Sequence, residues 1–128
     1  MEDLTLEPTR STPSVHLDAS SLVLTVQGES YPENSAKFFG PVLAWLDAAL
    51  EANDGRALEV NLELVYFNSS TSKILFNLFD TLDKAAEAGR PVTINWRYAE
   101  DNEMAGECGE EYQNEIHSAV FNLVPIVG

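Results

Sequence analysis

The chain has 128 residues, of which 45% are apolar, so it can form one domain with a substantial core. Its 21 acidic residues outnumber 7 basic ones, and the resulting net charge of −14 argues against binding to nucleic acid or to an anionic membrane surface. The charge favours a basic protein partner, or simply high solubility. A single cysteine, Cys108, excludes an intramolecular disulfide and fits a reducing compartment, so we expect a cytoplasmic protein.

The first segment is polar, and we expect residues 1–12 to form a flexible N-terminal arm with room for one short extended piece. Its acidic start is unlike a signal peptide, and no apolar run approaches the roughly 18 residues that suggest a membrane span. Residues 13–128 are expected to form a single domain. Within it, Ser14–Asp18 and Leu22–Gln27 are predicted to form a hairpin, because turn-forming residues separate two short alternating segments.

A helix is predicted over Glu33–Glu51, where apolar residues recur at helical spacing, and Asn53–Gly55 is a plausible turn after it. The clearest strand of the chain follows at Leu58–Tyr66. A period of two runs through the segment: Leu58, Val60, Leu62, Leu64 and Tyr66 alternate with Glu59, Asn61, Glu63 and Val65. One face of this strand is therefore expected to be buried and the other to contact water.

A second amphipathic helix is predicted to begin at the hydroxyl run and to end at Ala88-Gly89, and another alternating strand covers Val92–Tyr98. The acidic segment 100–115 is typical of a weakly amphipathic helix, which we expect Gly106 and Gly109 to interrupt. Val120–Val124 is predicted to be a final strand or an extended tail.

The predicted order of elements is β-β-α-β-α-β-α-β. Strand–helix–strand units give parallel neighbours with right-handed connections. Two central strands each have one polar face, which points to helices on one side of the sheet. We therefore expect an α/β fold, a mixed sheet with helices mainly on one face.

Patterns that specify catalysis or metal binding are absent from the sequence. His16 and His117 are far apart, and neither an HExxH nor a CxxC spacing occurs. The glutamates beside Cys108 would raise the pKa of its thiol, and there is no G-x-S-x-G elbow or phosphate-binding glycine loop. We therefore expect no enzyme, no metal and no cofactor. The alternatives are a small α/β ligand-binding module and a metal-dependent hydrolase that uses the acidic segment 100–115.

Four consecutive hydroxyl residues, Ser69, Ser70, Thr71 and Ser72, lie where the long strand meets the second helix. One hydroxyl at the N-cap would satisfy a free backbone N–H and contribute about 1 kcal/mol. Four exceed what capping requires, although small polar residues also suit a tight turn. A phosphoryl group on Ser69 or Ser70 would meet free N–H groups at the positive end of the helix dipole and add about −1.5 to −2 charges. The run is therefore interpreted either as a capped turn or as a phosphorylation switch.

Several short segments resemble, in shared order and spacing, the SiaC family of regulatory phosphoproteins, whose STAS-like architecture is similar to that of anti-sigma-factor antagonists. The resemblance covers about residues 11–121. The segments that carry it are Ser30–Ser35, Tyr66–Ser70 with Lys73, Phe79-Asp80, the strand that contains Trp96, and Gly109–Tyr112.

This resemblance implies a STAS-like, non-catalytic partner-switching protein. A cognate Ser/Thr kinase would phosphorylate it, a PP2C-type phosphatase would reverse the modification, and the unmodified form would bind and activate an effector. By resemblance the effector is a diguanylate cyclase, and an anti-sigma factor is the alternative.

The resemblance also assigns residues. In the family the acceptor follows the Asn of a Tyr-x-Asn motif and is commonly threonine, so Ser69 takes that role here, with Ser70 and Thr71 as second choices. The expected partner-binding residues are Tyr31, Glu33, Asn34, Asn68, Ser70 and Lys73.

Overall fold

One six-stranded sheet and three helices make up the computed structural model, which describes residues 2–52 and 55–127. The elements in chain order are β1 (Leu4–Leu6), β2 (Ser14–Asp18), β3 (Val23–Ser30), α1 (Ser35–Glu51), β4 (Leu58–Phe67), α2 (Ser69–Glu87), β5 (Val92–Ala99), α3 (Glu103–Glu115) and β6 (Val120–Ile126). Each strand pairs with the next in the chain, so the order across the sheet is β1-β2-β3-β4-β5-β6. Asn53 and Asp54 of the predicted turn lie outside the described residues.

The parallel half of the sheet explains where the helices lie. β3, β4, β5 and β6 pair in parallel, each through one crossover helix, and every crossover advances in the same direction. Right-handed crossovers that advance in one direction place their helices on one face of the sheet. Alternate side chains of β4 from Leu58 to Leu64 are buried there, whereas Glu59, Asn61 and Glu63 line a shallow polar concavity on the opposite face. The predicted α/β mixed sheet with helices mainly on one face is confirmed.

A short strand inside the predicted N-terminal arm forms one edge of the sheet. β1 pairs antiparallel with β2, with Leu4 opposite Leu17, and the Trp45 indole N–H donates to the Glu2 carbonyl at 2.9 Å. A three-residue strand is too short for its alternation to stand out in a polar segment. The observed order is therefore β-β-β-α-β-α-β-α-β. The mobility of residues 1–12 and their separation from the domain stay predictions.

Helix α3 is continuous from Glu103 to Glu115, so the predicted interruption at its glycines is wrong. A Cβ atom on Gly109 would lie 2.5 Å from Trp96 Cδ1 and 2.8 Å from Leu123 Cδ2, which shows that the glycine serves close packing. The Trp96 indole N–H donates to the Ala105 carbonyl at 2.9 Å and ties the helix to β5. In the part of the chain that the structure describes, no helix has the length and apolarity needed to cross a bilayer.

Trp96 is the centre of the core between the sheet and helices α2 and α3. It is 1% exposed, and the rings of Phe67, Phe79 and Tyr112 contact it edge-on at centroid distances of 5.8, 6.4 and 5.2 Å. Such edge-to-face pairs add about 0.5–1.5 kcal/mol each beyond the area they bury. The packing anchors the end of β4 at Phe67 and the middle of α2 at Phe79, which lie on either side of the hydroxyl run.

Candidate functional site

The turn between β4 and α2 is capped by an amide side chain rather than by a hydroxyl. Asn68 is the N-cap of α2, and its Oδ1 accepts the backbone N–H of Thr71 at 3.0 Å and the Ser70 hydroxyl at 3.1 Å. The capping reading of the hydroxyl run is therefore wrong, since the four hydroxyls occupy the first turn of the helix. Each of them is free of the capping role and has a different environment.

Three of the four hydroxyls are engaged with neighbouring elements. Thr71 is fully buried, and its Oγ1 lies 2.9 Å from Ser30 Oγ at the end of β3. Ser70 Oγ lies 2.7 Å from Ser35 Oγ at the start of α1, and Ser72 Oγ lies 2.9 Å from the phenolic oxygen of Tyr112 in α3. Thr71 is thus closed to a modifying enzyme while the helix is folded, and Ser70 is exposed but engaged.

Ser69 differs from the other three. Its side chain is exposed, and within residues 2–52 and 55–127 its hydroxyl has no hydrogen-bond partner. In the same ranges the backbone N–H groups of Ser69 and Ser70 have no protein acceptor, as expected for the first positions of a helix. An exposed hydroxyl beside free N–H groups at the positive end of a helix dipole is suited to carrying an anionic group.

The loop between β3 and α1 lies against this turn and holds the first three predicted partner-binding residues. The Asn68 N–H donates to the Ser30 carbonyl at 3.0 Å, so the loop starts beside the junction. Tyr31 is half-buried and Glu33 is exposed. Asn34 caps α1, because its Oδ1 accepts the Lys37 N–H at 3.0 Å. The fold therefore brings this loop and the hydroxyl turn together.

Asn68, Ser70 and Lys73 complete the predicted set, and they differ in availability. The Asn68 side chain is half-buried and its Oδ1 caps α2, so its main role here is structural. Ser70 bridges to α1 through Ser35. Lys73 is exposed one turn into α2 and is the one cation in the first turns of that helix.

Val65 and Tyr66 are exposed on this surface. The alternation had placed Tyr66 on the buried face, and neither residue was among the predicted partner-binding residues. Gly28 pairs with Leu64 but Glu29 pairs with Tyr66, so Val65 is an extra, bulged residue in β4. The bulge reverses the alternation: Phe67 points into the core at 8% exposure, whereas Tyr66 is 46% exposed and Val65 59%. The Tyr66 ring contacts the Tyr31 ring edge-on at 5.8 Å. β-Bulges re-aim side chains in this way beside functional sites.

The signal that could have located the bulge is the pair Tyr66-Phe67. A strict period of two buries only one of two adjacent aromatic residues, and the pattern assigned the buried place to Tyr66. As a result, Tyr66 was not among the predicted partner-binding residues. With Tyr31 it forms the aromatic patch, a name used below for Tyr31, Val65 and Tyr66.

The acidic side chains of the segment 100–115 are exposed, most of them on helix α3. Among the described residues no group of three or more His, Cys, Asp and Glu side chains could hold a metal ion. Burial raises the pKa of the Cys108 thiol, and Glu111 and Glu107 raise it further, which opposes the thiolate form needed for nucleophilic attack. The acids of α3 are solvated side chains on its outer face.

Comparison with known proteins agrees with this geometry. The model of the SiaC family of regulatory phosphoproteins matches residues 6–126. An uncharacterised protein of Pseudomonas aeruginosa (strain UCBPP-PA14) is 40% identical over 115 residues, which are 90% of each chain.

Solved structures are equally similar. Apo-SiaC from Pseudomonas aeruginosa has a TM-score of 0.89 at 38% identity, covering 97% of this chain and 99% of its own. SiaC in a crystal structure with the diguanylate cyclase SiaD, of which it is the activator, has a TM-score of 0.88 at 36% identity, covering 98% of this chain and 100% of its own. The chain therefore belongs to the SiaC family of regulatory phosphoproteins.

Proposed function

We propose that this protein is a non-catalytic, cytoplasmic switch whose unphosphorylated form binds and activates a diguanylate cyclase, and that phosphorylation of Ser69 ends the interaction. The single observation that carries the proposal is the contrast within the hydroxyl run. Thr71 is buried and Ser70 and Ser72 are hydrogen-bonded, whereas Ser69 is exposed with an unengaged hydroxyl among the described residues. The same hydroxyl follows Asn68, as the acceptor does in the family.

The effector surface in this proposal combines the hydroxyl turn, Lys73, the loop of residues 31–34 and the aromatic patch. Tyr66 lies two residues before Asn68 and contacts Tyr31. Exposed tyrosines supply much of the binding energy of protein interfaces because they bury a large area at low entropic cost. The relative that activates the cyclase SiaD supports an effector of this class.

A phosphoryl group on Ser69 would act locally. The free N–H groups of Ser69 and Ser70 would stabilise it at the start of α2, so the modified protein would stay folded. The modification would place about −1.5 to −2 charges at the centre of the effector surface. An effector side chain that packs on the aromatic patch would then have to desolvate a dianion, and any acidic group beside it would be repelled.

The kinase and the phosphatase of this switch are proposed from the family resemblance: a cognate Ser/Thr kinase and a PP2C-type phosphatase. Both enzymes must act on a hydroxyl group of this protein that is accessible to their active-site clefts. Ser69 meets that condition in the folded protein, and Thr71 does not.

The test is to express the protein with its cognate kinase and to map the modified residue by mass spectrometry. Wild type and Ser72→Ala are expected to carry phosphate on Ser69, whereas Ser69→Ala is expected to carry none. Ser72→Ala is the matched control because it removes a neighbouring hydroxyl of the same turn. Modification that persists in Ser69→Ala at another residue would overturn the assignment.

A further inference from the structure

A groove between α2 and α3 has an aromatic floor. It encloses about 290 Å³, and Phe76, Phe79, Tyr112 and Ile116 supply its apolar lining. Phe76 is 45% exposed although its ring contacts that of Tyr112 edge-on at 5.0 Å, and Phe79 contacts Tyr112 at the same distance from the core side. Covering the rest of an aromatic ring that already rests on a rigid floor is favourable and costs little side-chain entropy.

The rim of the groove is acidic. Asp80, Asp83 and Glu115 line it. The Asp80 carboxylate meets Lys84 at 2.9 Å, but both side chains are more than half exposed, so the pair is weak and leaves Asp80 available. Lys73 lies at the opposite end, one turn before Asn77. The charged residues that line the groove are therefore all acidic, in a chain of net charge −14.

We propose that this groove docks a basic amphipathic helix of a protein partner. An apolar side chain of that helix covers Phe76, and its Lys or Arg side chains pair with Asp80 and Glu115. Helix-in-groove recognition uses this combination of a central apolar anchor and a charged rim. Charge complementarity favours a basic protein segment as the occupant, because the acidic rim repels nucleic acid and anionic lipid.

The proposed groove does not depend on the phosphorylation switch. Phe76 lies about 10 Å and Asp80 about 16 Å along α2 from Ser69, at 1.5 Å per residue. The Debye length at physiological salt is about 8 Å, so a phosphoryl group on Ser69 is screened from the rim. A partner that docks here can therefore bind both forms of the protein, as an enzyme that adds or removes the phosphate must.

The probe is a synthetic 18-residue helical peptide made of leucine on one face and lysine on the other. It is titrated into the full-length, ¹⁵N-labelled protein at physiological salt, with amide shifts and affinity as readouts. Saturable shifts confined to α2 and α3 are expected. Phe76→Ser is expected to weaken binding at least tenfold, whereas Val127→Ser, which changes another exposed apolar residue just after β6, leaves it unchanged.

Two further variants test the role of the acidic rim and the independence of the groove from Ser69. The double variant Asp80→Asn, Glu115→Gln is expected to bind at least fivefold more weakly and with a shallower salt dependence, and Ser69→Asp is expected to bind within threefold of wild type. Unfolding midpoints of every variant are measured beside affinity. Wild-type-like binding by a folded Phe76→Ser protein, shifts spread over all acidic surfaces, or no binding by wild type would overturn the proposal.

Discussion

The hydroxyl oxygens of Ser35 and Ser70 lie 2.7 Å apart, which joins the first residue of α1 to the first turn of α2. Ser30 and Thr71 make a second contact of this kind at 2.9 Å. These two contacts hold the loop of residues 31–34 against the hydroxyl turn. The loop and the turn therefore form one surface, and Ser69 lies on it without taking part in the contacts that build it.

Thr71→Val tests whether Thr71 stabilises the fold while Ser69 serves only the proposed switch. The substitution keeps the volume of the buried side chain but leaves the Ser30 hydroxyl without this partner, so we expect a loss of about 1–3 kcal/mol in the free energy of unfolding. Ser69→Ala removes an exposed hydroxyl and is expected to change that free energy by less than about 0.5 kcal/mol. Urea denaturation measures both, and equal values would contradict the division of roles.

Tyr66→Ala tests the aromatic patch. We expect it to weaken binding of the diguanylate cyclase by about 2 kcal/mol, roughly thirtyfold, because an exposed tyrosine beside the switch has the features of an interface hot spot. The fold should be retained, since the side chain is 46% exposed. Val120→Ala is the control, because Val120 is 54% exposed at the start of β6, at the opposite end of the sheet. Surface plasmon resonance measures both, and similar affinities would exclude Tyr66 from the interface.

Gly109→Ala tests the close approach of α3 to the sheet. Its added methyl group would lie 2.5 Å from Trp96 Cδ1, so we expect overpacking to cost about 1–3 kcal/mol or more. Gly40→Ala in α1 is the matched control, because apart from its chain neighbours and its own helix backbone nothing lies within 4 Å of its added Cβ. The helix propensity that alanine adds is opposed by contact of its Cβ with Pro41, so we expect only a small change in the free energy of unfolding. The thermal unfolding midpoint is expected to fall for Gly109→Ala and to stay near the wild-type value for Gly40→Ala.

Asp83→Asn tests a carboxylate that organises the turn after α3. Burial would raise the pKa of Asp83, but backbone N–H groups of Ala119, Ser118 and His117 donate to its carboxylate and hold the pKa below the ordinary value. A depressed folded pKa adds stability that is present above the unfolded pKa and is lost as the pH falls through the folded pKa.

The free energy of unfolding of wild type is therefore expected to exceed that of Asp83→Asn at pH 7, and the difference is expected to shrink below about pH 4. Urea denaturation across this range provides the measurement. A difference that stays constant down to pH 3 would show that the charge of Asp83 is not what stabilises the turn.

The parts of the fold that the sequence predicted are those in which local pattern and packing agree. Leu58, Val60 and Leu62 alternate with polar residues, and the structure buries them under the helices as expected. The pattern failed at Val65, because a bulge shifts the period by one residue and depends on the pairing of two strands far apart in sequence.

The candidate site shows the same limit. Ser69 could be selected only by resemblance, since four adjacent hydroxyls look alike in a sequence. What distinguishes them is contact with Ser30, Ser35 and Tyr112, which come from three other elements. The alternative in which a hydroxyl caps α2 is wrong for a related reason: Asn68, one position earlier, accepts the N–H that a serine would have accepted.

The most direct test of the switch is calorimetric titration of the diguanylate cyclase with two preparations of the protein, one unmodified and one phosphorylated completely by the cognate kinase. If phosphorylation of Ser69 ends the interaction, the unmodified protein binds and the phosphorylated protein binds at least tenfold more weakly. Kinase-treated Ser69→Ala is then expected to bind as the unmodified protein does. Equal affinity of the two wild-type preparations, with phosphate located on Ser69, would contradict the proposed switch.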